Sequence, residues 1–225
     1  MKFKLNLTLE FKLLIAFMST IIVASITIYY AMPMDLKYEV IRRSPFWPII
    51  SIVIHLSEEH LWINIAGLIF CAILLALLNV YFGLLSLKFK LSGLPEVLRR
   101  ISVALLAYPP IMHIVTLSIE ELFSPLNFRA AGMSLIVFCI YGFNLSLWST
   151  TLIIFSLAGK MREFNIKLAA WLINVSLAIM ISLITYLNEM SEHAVAILTS
   201  SLIGTSIYLN SIQKFTENLF ESNSA

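Results

Sequence analysis

The sequence has little charge for its length: Asp, Glu, Lys and Arg make up 12% of its 225 residues, whereas hydrophobic residues make up 60%. A soluble domain has about 25% charged residues, so this composition excludes a soluble enzyme and a disordered chain. The net charge is only +2, and a field that weak would not attract a polyanion, which excludes a nucleic-acid-binding protein. The chain is therefore predicted to be a membrane protein surrounded by the lipid bilayer.

Cysteine is scarce as well, with only Cys71 and Cys139, and both lie inside apolar runs. A disulfide framework needs more cysteines, placed in loops. We therefore predict that both thiols are buried packing residues.

Six apolar segments are long enough to cross a bilayer, since a spanning helix needs about 20 mostly apolar residues. They cover approximately 13–32, 61–83, 101–118, 131–150, 168–187 and 193–212. The fourth is expected to continue to about Ala158, and the first is too long for a signal-peptide core and is predicted to be retained. The predicted fold is an all-α, polytopic bundle of six transmembrane helices. It forms a single domain over residues 1–225, with its core at about 13–212 and no separate soluble domain.

Lysine and arginine are distributed unevenly between the two sides of this bundle, and such residues favour the cytoplasmic side. The side that holds both termini carries most of them: Lys2, Lys4, Lys12, Lys88, Lys90, Arg99, Arg100, Lys160, Arg162, Lys167 and Lys214. The opposite side has Lys37, Arg42, Arg43 and Arg129. We therefore predict a multi-pass protein of the cell membrane with both termini in the cytoplasm.

Polar residues concentrate at the start of the second span, which reads HLSEEHLWIN. His60 and Asn64 are four residues apart and share one face of a helix. His55 would lie about 140° away from His60 on a continuous helix, so the two histidines are not predicted to form a metal pair. Their spacing is also longer than that of the zinc-protease motifs. No metal or other cofactor is predicted.

Two further polar residues are predicted to lie at the same depth. Ser134 follows Gly132 near the start of the fourth span, and His193 lies in the first turn of the sixth. The second, fourth and sixth spans all run inward from one face, so Ser134 and His193 should lie near His60 and Asn64. A hydroxyl beside an imidazole is the arrangement that activates a nucleophile.

Small residues would allow the fourth and sixth spans to approach each other closely. On the sixth span they follow His193 as a stripe: Ala196, Ser200 and Gly204. On the fourth span they are Ala130, Ala131, Gly132 and Gly142.

The remaining polar residues in the spans have a structural interpretation. His113 follows two prolines in the third span and is predicted to be a packing histidine near a kink. The asparagines are predicted to form hydrogen bonds between helices: Asn79, Asn144 and Asn174.

From Trp47 to Gly204 the sequence resembles the rhomboid family of intramembrane serine proteases. The family segment W-x-x-x-(T/S)-x-x-x-H-x-x-x-x-H-x-x-x-N is matched by Trp47, Ser51, His55, His60 and Asn64. The serine motif, G-x-S, is matched by Gly132, Met133 and Ser134. The motif of the last span, a histidine followed by small residues, is matched by His193, Ala196 and Ser200.

The resemblance implies a role for each matched residue. Ser134 would be the nucleophile and His193 its general base, in a dyad that has no carboxylate. His60 and Asn64, with the backbone N–H of Ser134, would form the oxyanion hole. His55 would support the start of the second span.

Several positions depart from the family pattern. Phe138 stands where the family has a tyrosine that stacks on the catalytic histidine, so it keeps the ring without the hydroxyl. Leu135 replaces a glycine beside the nucleophile, and Ser200 replaces a glycine of the last span. Leu135 is expected to crowd either the contact between the fourth and sixth spans or the oxyanion site.

The function implied by this resemblance is hydrolysis of peptide bonds in or near the transmembrane segments of single-span membrane proteins. Two alternatives remain open: a rhomboid-like pseudoprotease that binds transmembrane helices without cutting them, and a small proton or metal transporter. The predicted partners are transmembrane protein substrates and the lipid bilayer, with no nucleic acid. The sequence does not indicate which substrate is cleaved or whether the chain forms oligomers.

Overall fold

A computed structural model describes residues 8–89, 94–123, 132–157, 163–187 and 191–221, nearly all of them helical. Within these ranges the chain forms eight helices: α1 (Leu9–Ala31), α2 (Met34–Arg43), α3 (Trp47–Ile50), α4 (Glu58–Phe89), α5 (Leu94–Phe123), α6 (Ser134–Leu157), α7 (Glu163–Leu187) and α8 (Ser191–Glu221). The described residues contain no β-strand, which confirms the all-α class.

Six of these helices are long and apolar enough to cross a membrane. Their apolar parts are Leu9–Ala31, Glu58–Leu85, Glu96–Ser118, Ser134–Leu157, Asn165–Thr185 and His193–Ser211. The six predicted spans are therefore confirmed, and the protein is an integral, multi-pass membrane protein.

The start of the fourth span differs from the prediction. Gly132 and Met133 form a bend, and helix α6 begins only at Ser134 and then runs to Leu157. Gly132 is thus not part of the helix, because its positive φ of 111° is incompatible with helical backbone. Ala130, Ala131 and Ala158 lie outside the described residues.

The orientation of the bundle in the membrane stays a prediction. Some of the basic residues on which it depends lie outside the described residues: Lys2, Lys4, Lys90, Arg129, Lys160 and Arg162. The alternating direction of the six spans places the starts of α4, α6 and α8 at one end and the start of α5 at the other.

The segment between the first two spans is anchored to the end of α1 by a buried lysine. The side chain of Lys37, in α2, is 1% exposed, and its Nζ donates a hydrogen bond to the carbonyl of Tyr29 (2.7 Å). The same ammonium lies 4.0 Å from the centroid of the Tyr29 ring. Tyr29 is in the last turn of α1, whose carbonyls have no intrahelical partner and attract a cation. Burial lowers the pKa of Lys37 because the charged form loses its hydration.

Helix α6 is the centre of the bundle and packs most extensively on α8. A Cβ atom added to Gly142 of α6 would lie 2.7 Å from the carbonyl oxygen of Ile197 and would collide with the Ser200 hydroxyl. The hydroxyl of Ser201 donates to the Gly142 carbonyl (3.1 Å). The two backbones are therefore in direct contact, as the stripe of small residues predicted.

A second glycine extends this contact along α8. A Cβ atom added to Gly204 would lie 2.9 Å from Cδ1 of Phe143 and would collide with the Ser146 hydroxyl. Ala196 and Ser200, on the same face of α8, are both 0% exposed. Because a glycine lies at each contact, α6 and α8 approach too closely for larger side chains.

Buried amides join the other helices. Asn144 of α6 donates to the carbonyl of Cys71 in α4 (3.3 Å), and Asn174 of α7 donates to the hydroxyl of Thr150 in α6 (2.8 Å). These two bonds are of the kind predicted for the asparagines. Cys71 and Cys139 are free thiols with 1% and 0% exposure, which confirms that they are packing residues.

The substitution Gly142→Leu is expected to destabilise the bundle by about 1–3 kcal/mol, because the added side chain must push α8 away from α6. The measurement is the unfolding midpoint in mixed micelles, followed by circular dichroism. Gly83→Leu is the control, since Gly83 is a half-buried glycine of α4 outside this contact. Equal midpoints for the two variants would contradict the close packing of α6 on α8.

Candidate active site

The rings of His55 and His60, which lie on either side of the start of α4, contact each other. Helix α4 begins at Glu58, and the hydroxyl of Ser57 accepts a hydrogen bond from the backbone N–H of His60 (3.2 Å), which caps the helix. His55 therefore lies outside the helix, and its ring turns back to within 5.5 Å of the His60 ring, centroid to centroid, in an edge-to-face contact. The predicted separation of about 140° was wrong because it assumed a continuous helix.

Asn64 is held by His55. Its Nδ2 atom lies 3.3 Å from Nε2 of His55, and the two residues are 4% and 0% exposed. An amide nitrogen only donates, so Nε2 of His55 accepts and the proton of the neutral ring is on Nδ1. Burial, together with smaller effects of the nearby charges of His60 and Lys37, lowers the pKa of His55 to about 4. His55 is therefore neutral at neutral pH.

Gly132 brings the start of α6 against both imidazoles. Its N–H donates to the carbonyl of Ser51 (2.7 Å), and its φ of 111° is one that residues with a Cβ atom rarely adopt. A Cβ atom here would lie 3.0 Å from Cδ2 and Nε2 of His55 and 3.1 Å from Cε1 of His60. Both the backbone conformation and the available space thus require glycine.

Ser134 is the first residue of α6 and is half-buried. The N–H of Val137 bonds back to the carbonyl of Met133 (3.0 Å), as the first turn of the helix closes. The N–H of Ser134 precedes this turn, so helix geometry leaves it available to a ligand. The positive end of the helix dipole also favours negative charge at this place.

Phe138, one turn further along α6, contacts His193 of α8. The two ring centroids are 4.5 Å apart and the planes are inclined at 62°. His193 is half-buried, and both of its ring nitrogens are shielded from solvent. Since Ser134 is four residues before Phe138, it lies on the same side of α6, one turn nearer the end of the bundle.

The predicted site residues thus form two contacting groups joined by α6. The first group is packed around two imidazoles: His55, His60, Asn64 and Gly132. The second is the ring pair of Phe138 and His193, and Ser134 lies between the groups along the chain. The described part of the chain shows no hydrogen bond between Ser134 and His193.

Ser51 and His113 support this site, and the sequence did not indicate that they act together. The Ser51 hydroxyl donates to the carbonyl of Pro48 (3.0 Å) and lies 3.0 Å from Nε2 of His113 in α5, while both residues are 1% exposed. Because its one proton goes to Pro48, Ser51 accepts from the His113 N–H. The backbone carbonyl of Ser51 holds Gly132. His113 is a buried packing histidine, as predicted, but it also fixes the segment that positions Gly132.

Leu135 lies behind the site in a small apolar cluster. It is 3% exposed and packs with the buried side chains of three other helices: Trp47, Leu117 and Ala196. The expected crowding therefore concerns the packing of α6 against α3, α5 and α8. The larger side chain fills space that a glycine would leave empty.

Among the described residues, no group of three or more His, Cys, Asp or Glu side chains could hold a metal ion. A scan against protein-family models finds no match for this chain, and searches of curated proteins and of solved structures find none. The resemblance to rhomboid proteases therefore stays a prediction from the sequence motifs.

Stability is expected to fall as the pH is lowered from about 6.5 to about 4, because over this range only the unfolded state protonates His55. The loss attributable to this one group is on the order of 3 kcal/mol. Above about pH 6.5 both states are neutral and the contribution is complete. The measurement is the unfolding midpoint as a function of pH in detergent.

The comparison for this prediction is His55→Gln, which removes the titrating ring and keeps an acceptor for Asn64. Its midpoint should depend less on pH over the same range than that of the wild type. Parallel pH curves for the two proteins would show that His55 is not the group responsible.

Proposed function

We propose that this protein is an intramembrane serine protease of the rhomboid type, which cleaves single-span membrane proteins in or near their transmembrane segments. The observation that carries the proposal is the contact between Phe138 of α6 and His193 of α8, at 4.5 Å between ring centroids. This contact brings an imidazole on one span within a helical turn of Ser134 on another. The histidine cluster beside Gly132 adds hydrogen-bond donors to the same end of the bundle.

In the proposed reaction, the Ser134 hydroxyl attacks the carbonyl carbon of the scissile peptide bond while His193 takes its proton. The tetrahedral intermediate collapses as His193 returns this proton to the leaving amine, and the acyl group stays on Ser134. Water then gives a proton to His193 and attacks the ester, which releases the acid and restores the hydroxyl. Phe138 orients the imidazole in place of the aspartate of a classical triad.

The developing oxyanion would be stabilised by donors that are already in position. The Ser134 N–H at the start of α6 is one, and side-chain donors from His60 and Asn64 are the others. A preorganised donor of this kind contributes very roughly 3–4 kcal/mol in well-studied proteases. One amide hydrogen of Asn64 is used by neutral His55, so His55 fixes the amide and the second hydrogen remains for the substrate.

The position of the site at one end of the bundle suits hydrolysis, since water is excluded from the bilayer centre. Glu58 and Glu59 are exposed at this end, in the first turn of α4. With the termini in the cytoplasm, as the distribution of basic residues favours, the site would face the outside of the cell membrane. Substrates should carry small or helix-weakening residues near the outer leaflet, because an intact helix uses its carbonyls in internal hydrogen bonds.

A rhomboid-like protein that binds helices without cutting them is the second candidate. The observation that favours it is that, among the described residues, Ser134 and His193 form no hydrogen bond with each other. Catalytic hydrogen bonds are often long in ligand-free enzymes and shorten when substrate binds, so we favour the protease. The transporter is disfavoured because all four histidines lie at one end: His55, His60, His113 and His193.

The decisive variants are Ser134→Ala and His193→Ala. In liposomes with a generic single-span substrate, each is expected to lower the cleavage rate by about 1,000-fold or more, as for dyads and triads that act as a unit. A fluorophosphonate should label the wild type at Ser134 only. Ser206→Ala is the control, since this serine lies on an exposed face of α8.

Undiminished cleavage by Ser134→Ala would contradict the proposed nucleophile. A wild-type protein that neither cleaves nor reacts with the fluorophosphonate would contradict the protease and favour the helix-binding protein.

The substitution Phe138→Leu is expected to lower the cleavage rate by up to about tenfold, since an aromatic pair contributes about 0.5–1.5 kcal/mol beyond its buried area. Phe138→Tyr keeps the ring and should retain the rate. The loss should affect kcat more than KM, because the ring orients the base without touching substrate. Equal activity of the leucine and tyrosine variants would show that the ring does not position His193.

A further inference from the structure

A cleft at the opposite end of the bundle, between α5 and α8, belongs to no feature described so far. It has a volume of about 540 Å³ and opens to the outside of the bundle. The first turns of α5 line one side of it, and the end of the apolar part of α8 lines the other. Its polar lining is Arg99, Arg100, Asn210 and Ser211.

The two arginines give the cleft a positive charge. Both guanidinium groups bond to the same oxygen, Oε1 of Glu96, at 2.8 and 2.9 Å, and both side chains remain about half exposed. The residues that line the cleft include these two cations and no acid. Glu96 and, more weakly, Glu10 of α1 attract Arg99 from outside the lining. Each guanidinium has five N–H donors and uses one of them on Glu96. Donors are therefore left on both arginines for an anion.

Ser211 adds an unsatisfied polar atom to the same cleft. Its Oγ is shielded from solvent and has no hydrogen-bond partner among the described residues. A shielded hydroxyl without a partner costs free energy, which a bound ligand with an acceptor oxygen would recover. Asn210, the preceding residue, is exposed and lines the cleft beside it.

The other walls of the cleft are apolar, and they lie further from the end of the bundle. Val103 and Ala104 are one turn beyond the arginines on α5, and Ile207 is one turn before Ser211 on α8. Cationic and hydroxyl groups at the mouth with apolar groups deeper in the bilayer match the order of groups in a phospholipid. A free phosphate would use only the mouth.

We propose that this cleft binds an anionic phospholipid, with its phosphate at Arg99, Arg100 and Ser211 and the start of an acyl chain against Val103 and Ile207. Basic pockets between transmembrane helices are known to take such headgroups. The bound lipid would join α5 to α8 at this end. The proposal is independent of the proposed proteolytic function.

The test is native mass spectrometry of the full chain in detergent, titrated with phosphatidylglycerol or phosphatidylcholine. The wild type should prefer phosphatidylglycerol, and Arg99→Gln combined with Arg100→Gln should lower its affinity by about tenfold or more. Arg43→Gln is the matched control, because Arg43 forms a similar exposed ion pair with Glu39 at the other end of the bundle.

A second variant, Ala104→Leu, keeps both arginines and fills the cleft with a larger side chain. It should also lower the affinity for phosphatidylglycerol, which a general effect of surface charge would not explain. An equal loss in Arg43→Gln, or no preference in the wild type, would overturn the proposal. If inorganic phosphate displaced the lipid at equal concentration, the cleft would be a site for free phosphate, and the proposal of a lipid site would be overturned.

Discussion

The direct contact between the backbones of α6 and α8 is the constraint on which the rest of the molecule depends. A Cβ atom at Gly142 would lie 2.7 Å from the carbonyl of Ile197, and Ser201 bonds to the Gly142 carbonyl across the same contact. In lipid there is little hydrophobic driving force between helices, so close packing and interhelical hydrogen bonds hold them together. This contact also sets the distance at which Phe138 meets His193.

The other half of the candidate site depends on hydrogen bonds to backbone atoms outside the helices. Ser51 holds Gly132 through its carbonyl and His113 through its hydroxyl, so one residue joins α5 to the start of α6. Gly132 in turn lies against His55 and His60. His55, His60 and His113 are therefore linked through Gly132 and Ser51 into one connected layer at this end of the bundle.

The spans could be predicted because apolar length alone determines them, and the small-residue stripe predicted the contact of α6 with α8. The arrangement of His55 and His60 could not be predicted by helical periodicity, since the helix begins after the cap at Ser57 and His55 precedes it. The bond between Ser51 and Gly132 joins backbone atoms far apart in sequence, and side-chain patterns carry no signal for it. The direction of the spans predicted that Ser134 and His193 lie near the same end of the bundle, whereas it carried no information on hydrogen bonding between them.

Helix α7 has only 22% of its apolar stretch buried, compared with 56% for α6. Interhelical hydrogen bonds join α7 to its neighbours. Asn174 donates to the hydroxyl of Thr150 in α6, and Ser182 donates to the carbonyl of Ala194 in α8. Such bonds average about 0.6 kcal/mol in a bilayer. The remaining surface of α7 thus faces acyl chains, so its tilt depends on the thickness of the bilayer as well as on its packing against α8 and α6.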